Sequence, residues 1–314
     1  MEKVVKLPFI RKPVSIIGIV AVLSALLGVV LLIVASFYDL QISKALHNSS
    51  SWFARFGAGY APLPVYLGLT ISGVFLILAR ASLNKWITIA QIVLGVALIA
   101  GGSYLVMFQT THYRSGFPLG MTIAIGLLLV VCVDLLIYKF YSNEDKLVLL
   151  RAAFTILLMI AFELALGEII KTPWSRLRPY AIYELGSDSY FVPWWQAGAG
   201  NVFKNSINPD LLEEPAKFAD YFKSFPSGHT GHATVMCFLL VILANIKPRL
   251  KKWTPLFLAI GVIYAMIMAL SRVIIGAHYL SDTMVGFLLS FASGALCYWL
   301  LFVWKRFSPK TDTI

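Results

Sequence analysis

Eight long apolar runs, separated by shorter polar segments, set the organisation of this chain of 314 residues. They cover Val14–Ser36, Leu63–Ala79, Trp86–Phe108, Pro118–Tyr138, Leu147–Ile170, Thr230–Ile246, Trp253–Leu270 and Thr283–Trp304. A hydrocarbon core takes about 20 helical residues to cross, and inside it a helix satisfies its own backbone. The pattern therefore predicts an all-α polytopic bundle of about eight transmembrane helices, a single integral membrane domain over residues 1–314. An even number of crossings places both termini on one side.

The polar segments set the sidedness. One parity carries Lys3, Lys6, Arg11 and Lys12; Arg80 and Lys85; Lys139, Lys146 and Arg151; Lys247, Arg249, Lys251 and Lys252; and Lys305, Arg306 and Lys310. The first two segments of the other parity hold only Lys44, Arg55 and Arg114. Positive charge collects on the cytoplasmic side, so both termini are expected there. The first run exceeds the roughly 7 to 15 apolar residues of a signal-peptide core and reads as a retained span. Residues 37–62, with Asp39, Trp52 and Phe53, read as an extracytoplasmic interfacial segment. Residues 180–223 read as an extracytoplasmic insertion, and a loop of that length without its own core carries function or covers a site. Within it, Asn208-Pro209-Asp210 and then Glu213 have the form of a short helix start. The tail from Ser308 reads as frayed.

Composition narrows the classes. The chain is 59% hydrophobic and 13% charged, whereas soluble domains run near 45–50% and about 25%. Its net charge of +11 is spread over short loops that orient helices, with no compact basic patch, so no nucleic-acid partner is expected. Cys132, Cys237 and Cys297 all fall in apolar runs without a CxxC pair. They imply neither a disulfide framework nor a metal site, and no cofactor is expected.

Three polar clusters interrupt the pattern, all of the extracytoplasmic parity. They are Lys171 to Pro179, Phe225-Pro226-Ser227-Gly228-His229-Thr230, and Ser271-Arg272 through His278 to Asp282. Phosphoryl transfer needs its oxygens neutralised, a nucleophile in line and an acid for the leaving group. Lys171, Arg178 and Arg272 suit a dianion, arginine binding two oxygens at once. Ser227 and Gly228 open a helix whose backbone N–H groups would point at the same anion. His278 and Asp282 stand four apart, a spacing at which a carboxylate can hold the ring, so His278 reads as the nucleophile and Asp282 as its orienter. His229 reads as the acid that protonates the leaving oxygen and then activates water. Taken singly, each has a plainer account: a snorkelling cation, a helix start, a structural histidine. Their conjunction on one membrane face favours the catalytic account.

The clusters resemble the signature of the type 2 phosphatidic-acid phosphatase superfamily. Lys171 precedes Arg178-Pro179 by six intervening residues; Pro226-Ser227-Gly228-His229 follows; Ser271-Arg272, five residues, His278, three residues and Asp282 close it. The resemblance implies an α-helical, metal-independent phosphatase acting through the last histidine, and it leaves 1–163 unaddressed. Family members commonly carry six spans with three before the lysine motif, whereas five precede it here. The additional pair falls in Trp86–Tyr138. The stretch Phe191 to Gln196 is similar to loops of bacterial lipid phosphatases that act on lipid A and phosphatidylglycerophosphate.

Other residues admit two readings. Trp174, Trp194 and Trp195 could line an acyl-chain entrance or simply anchor at the interface. Glu168, three residues before Lys171, is placed to pair with it. Asp134 and Glu163 lie within apolar runs, where an ionisable group is costly. His232, a turn beyond His229, fits a proton relay or packing; His47 and His112 read as exposed loop residues. The expected partners are membrane lipids and a lipid phosphate in the plasma membrane of a bacterium. Undecaprenyl diphosphate, phosphatidylglycerophosphate, phosphatidate and lipid A are all open as substrates, and the oligomeric state is open too. Transfer of phosphate to an acceptor lipid, and a non-enzymatic lipid transporter, are the competing readings.

Overall fold

The computed structural model describes residues 15–80, 84–112 and 118–303. The basic residues before the first run, Arg114, Lys305, Arg306, Lys310 and the tail from Ser308 lie outside them.

Among the described residues the chain is a helical bundle without strands, and eight of its helical segments are long and apolar enough to cross a membrane. It is an integral membrane protein. In order come α1 (Ile16–Leu46), α2 (Trp52–Tyr60), α3 (Leu63–Leu78), α4 (Lys85–His112), α5 (Leu119–Tyr141) and α6 (Lys146–Trp174). Three short helices follow, α7 (Pro179–Leu185), α8 (Asn201–Lys204) and α9 (Phe218–Tyr221), and then α10 (Gly228–Ile246), α11 (Thr254–Ile274) and α12 (Leu280–Tyr298).

The centre of the bundle is α3, α6, α10, α11 and α12, whose facing side chains include the fully buried Phe75, Leu149, Ile156, Val241 and Phe287. α1 packs on α11 and α12, while α4 lies along α3 and α5 packs against both of them. The α3–α4 contact is close because two glycines face each other: a Cβ at Gly73 would stand 2.5 Å from the Gly95 carbonyl oxygen. Small residues let helix backbones approach in this way where lipid gives no hydrophobic drive. Asp134 of α5 lies beside Thr70 of α3, a polar contact between spans.

Two stretches differ from the reading of the sequence. Residues 37–62 are not one interfacial segment, because α1 continues ten residues past the apolar run to Leu46. Asp39 and Ser43 on this extension face inward and are buried, so a polar partner inside, rather than lipid outside, holds those turns. α2 then packs against α11, with Gly57 directly over Ser271. The insertion does have a core: Leu177, Ala181, Ile182, Ile207, Leu212, Tyr221, Phe222 and Tyr279 form one apolar cluster. At Asn208 the expected helix start is a single 3-10 turn, capped by the Asn208 side chain accepting from the Asp210 N–H at 3.1 Å.

Candidate active site

The first cluster is shaped by how α6 ends. Pro173 sits in its last turn, and Ser175 adopts the left-handed conformation (φ 52°) that closes many helices. Lys171, on the last turn, donates to Glu168 at 2.6 Å, the pairing its spacing predicted. Beyond the cap, Arg178 is fixed by two carbonyls, its Nε on Asp220 at 2.9 Å and its Nη1 on Ala277 at 3.1 Å.

The second cluster starts α10. Ser227 is the N-cap, its hydroxyl accepting from the Thr230 N–H and hydroxyl, and its own N–H donates to the Asp282 carbonyl at 3.0 Å. Gly286 of α12 packs against the Ser227 carbonyl, where a Cβ would come within 2.5 Å. Gly228 has no side chain to keep cations away: a Cβ there would lie 3.1 Å from Lys171 Nζ. Ser227 is thus a structural cap, 1% exposed, while the bare Gly228 backbone and the Lys171 ammonium share the open face.

The third cluster follows α11. Arg272 occupies the last turn, and its carbonyl accepts from Ala277 and His278 as the chain turns at Gly276 (φ 75°). His278 Nδ1 stands 2.6 Å from the Ser224 carbonyl, which can only accept, so the proton is on Nδ1 and the lone pair on Nε2. Nε2 lies 3.4 Å from Arg178 Nη1. Burial first, then the positive charges of Arg178 and Arg272, holds the His278 ring well below the usual imidazole pKa. A pKa so depressed favours the neutral ring.

Asp282 does not orient His278 directly. Its Oδ2 is 3.9 Å from His278 Nδ1, beyond hydrogen-bonding distance, and accepts instead from the Ser224 hydroxyl at 2.5 Å and the Tyr279 N–H at 2.9 Å. Its Oδ1 accepts from Arg176 Nη1 at 2.5 Å. Asp282 therefore holds Ser224, and the Ser224 carbonyl holds the histidine.

Arg176 was only a spacer in the sequence reading, yet it organises the back of the site. Its guanidinium is 1% exposed and is bound to Asp282, to Asp39 at 2.9 Å, to the Val192 carbonyl at 2.8 Å and to the Ser281 hydroxyl at 2.7 Å. It also stacks over the Tyr279 ring at 4.1 Å. Asp39, from the extension of α1, accepts in addition from the Ser281 N–H and hydroxyl. The signals available were a third cation inside the first cluster and a carboxylate just past an apolar run.

A cavity of about 320 Å³ brings the clusters together. Lys171, Arg178, Gly228, His229, His232 and His278 line one part of it; Pro62, Tyr66, Phe108, Gln109 and His112 line the rest. Arg272 and Ser227 sit behind that lining. His112 ends α4 at the cavity rather than lying in a loop, and His47 packs at a tilt against Tyr183 beside the Gly276 turn. The tryptophans are elsewhere. Trp174 stacks on Phe225 at 4.6 Å and donates to the Trp194 carbonyl, and Trp194 donates to Ser36 of α1. They clamp the insertion onto the bundle, and Trp194 and the half-exposed Trp195 border a separate cavity of about 150 Å³. Among the described residues no three His, Cys, Asp or Glu side chains converge as a metal site requires.

Residues 152–306 match the family model of the PAP2 superfamily, which takes in every residue of the site except those on α1, α3 and α4. Over those residues the chain is of the PAP2 superfamily. A curated relative, an undecaprenyl-diphosphatase from Sulfolobus acidocaldarius, is 29% identical over 139 residues, 44% of this chain. The chain spans about half the length of that relative, the alignment covering 50% of it. No solved structure matches the chain at a significant level. The PAP2 match takes in Lys171, Arg178, His229 and His278. It does not extend to Asp39, Gln109 or His112, which this chain brings from earlier helices.

Proposed function

We propose that the protein is a lipid phosphatase that releases inorganic phosphate from a lipid phosphate monoester or diphosphate through a phosphohistidine on His278. The observation that carries this is the setting of His278: a neutral ring with Nδ1–H fixed on a carbonyl and Nε2 facing Arg178 in a cavity shared with Lys171 and His229. In the first step Nε2 attacks phosphorus, the bond to the leaving oxygen breaks, and His229 gives that oxygen a proton. In the second, His229 takes a proton from water, the hydroxide oxygen attacks phosphorus, and the N–P bond breaks to release phosphate. Lys171, Arg178 and Arg272 compensate the charge on the equatorial oxygens, and the Gly228 backbone adds N–H dipoles at the start of α10.

The site lies at the end of the bundle opposite Arg80, Lys85, Lys139, Lys146, Arg151 and Lys247, which supports an extracytoplasmic site and cytoplasmic termini in a plasma membrane. The relative's name supports undecaprenyl diphosphate as the first substrate to test. Phosphatidylglycerophosphate, phosphatidate and lipid A complete the panel. Phosphate release from each, by purified protein in proteoliposomes, tests the reading. Release that survives EDTA, stops with vanadate and is lost in His278→Ala is expected. Label appearing on an acceptor lipid instead of in free phosphate would make the protein a phosphotransferase, and lipid movement that persists in His278→Ala would make it a transporter.

A further inference from the structure

Of the four histidines that line the cationic cavity, His229, His232 and His278 stand beside Lys171 and Arg178, and these three differ in the carboxylates beside them. His278 has Asp282 nearby, but that group is committed to Arg176, Ser224 and Tyr279. The charged neighbours acting most strongly on His229 are Arg272, His232, Arg178 and Lys171, all of them basic. His232 has its own carboxylate. Glu163 Oε1, from α6, stands 3.3 Å from His232 Nδ1, and Glu163 Oε2 makes no hydrogen bond among the described residues. Glu163 is 6% exposed, so its charge is little screened. It reaches α10 over a bare glycine, since a Cβ at Gly231 would lie 2.4 Å from Oε1.

The same His232 nitrogen also lies against the Gly228 carbonyl, which only accepts. Nδ1 is therefore a donor, and Nε2 is the nitrogen left toward the cavity. A ring so placed beside a buried carboxylate can carry a proton on both nitrogens at once.

We propose that Glu163 and His232 are positioning residues that store the proton His229 delivers to the leaving group. The proposal rests on the phosphatase reading. Among basic neighbours, His229 gains by protonation only when the substrate's dianion enters. It then draws a proton from His232 Nε2, one helical turn along α10. As the bond from His278 Nε2 to phosphorus forms, the P–O bond breaks with its electron pair on the leaving oxygen, which takes the proton from His229. In the second half-reaction the water proton taken by His229 returns to His232, water oxygen bonds to phosphorus, and the N–P electron pair returns to His278. Water is the only co-reactant, and the pair ends as it began.

The test uses leaving-group dependence in the purified full-length protein. An alkyl lipid phosphate releases an alkoxide that must be protonated, whereas an aryl phosphate releases a phenolate that leaves almost unaided. Glu163→Gln, which keeps the shape and removes the charge, is expected to slow the alkyl substrate on the order of 100-fold and the aryl substrate by less than about threefold. His232→Asn is expected to show the same split, and Glu163→Asp to recover part of the alkyl rate. Equal loss on both substrates, or no loss on either, in both variants would overturn the proposal while leaving the phosphatase reading intact. A wild-type protein that releases phosphate from neither substrate overturns the phosphatase reading and this proposal with it.

Discussion

The cationic cavity and the buried arginine cluster behind it are built from the same residue types and do opposite work. In the cavity, Lys171, Arg178 and the His278 ring present polar atoms to a space large enough for a head group, and Arg178 is held by carbonyls that leave its charge uncompensated. Behind it, Arg176 faces two carboxylates, Asp39 and Asp282, and its remaining N–H groups reach a carbonyl and a hydroxyl. Arg178 is fixed by neutral partners, and Lys171, though paired with the exposed Glu168, keeps its ammonium at the cavity; the charge of Arg176 is cancelled by two buried carboxylates. The signature residues divide along this line, with His278, His229, Lys171 and Arg178 in front and Asp282 and Ser227 behind.

That division predicts two different failures. His278→Ala removes the proposed nucleophile and leaves the packing of α12 in place. Phosphate release is expected to fall on the order of 10⁴-fold or more with an unchanged melting temperature, read by a phosphate assay beside a thermal scan. Arg176→Ala leaves Asp39 and Asp282 buried and uncompensated. It is expected to destabilise the protein by about 3–5 kcal/mol, and the folded fraction, not the chemistry, then limits activity. If His278→Ala unfolded the protein, or Arg176→Ala kept full stability, the distinction between front and back would not hold.

Asp39→Asn sharpens the comparison. Arg176 keeps Asp282, and the amide still fills the place of the carboxylate. A stability loss of about 1–3 kcal/mol is expected, below that of Arg176→Ala, because one partner of a buried charged hydrogen bond weakens without leaving a bare ion. The rate per folded molecule is expected to stay within about threefold of wild type, because Asp39 touches no residue that lines the cavity.

The pH response follows from the burial of His278. Its folded pKa is depressed, so the ring, the nucleophile of the proposed reaction, stays neutral as pH falls through the ordinary imidazole value of about 6.5. The acid limb of phosphohistidine formation is therefore expected below that value, measured by trapping the acid-labile intermediate in single turnovers. Stability moves the other way. The unfolded chain takes up a proton that the folded ring refuses, so this group's contribution is lost as pH drops below the unfolded value.

The front of the site was legible because its chemistry is written in contiguous motifs at the ends of apolar runs, and the parity of those runs puts them on one face. The back was not. Arg176 and Asp39 are 137 positions apart, and nothing local marks the carboxylate as facing inward rather than lying at an interface. The four-residue spacing of His278 and Asp282 was read as a direct bond, but a helix N-terminus intervenes: Asp282 caps the Tyr279 N–H, which turns it away from the ring. The core of the insertion escaped because its apolar residues are scattered singly among polar ones and converge only when α7, the 3-10 turns and α9 fold over Tyr279.

The smallest expected effect tests how the insertion is tied to both regions. Trp194 donates its indole N–H to Ser36 of α1 at 3.0 Å, and its ring lies parallel to Phe225, which Trp174 also stacks against. Phe225 leads directly into the Pro-Ser-Gly-His segment, so the clamp joins the loop before His229 to the helix that carries Asp39. Trp194→Phe keeps an aromatic ring and removes only the hydrogen bond, a loss of about 1 kcal/mol. If the insertion is a lid that must lift for substrate to enter, KM or kcat is expected to change with this variant. If it is a fixed wall, as its own apolar core favours, only the melting temperature moves, and both kinetic constants stay within about twofold of wild type.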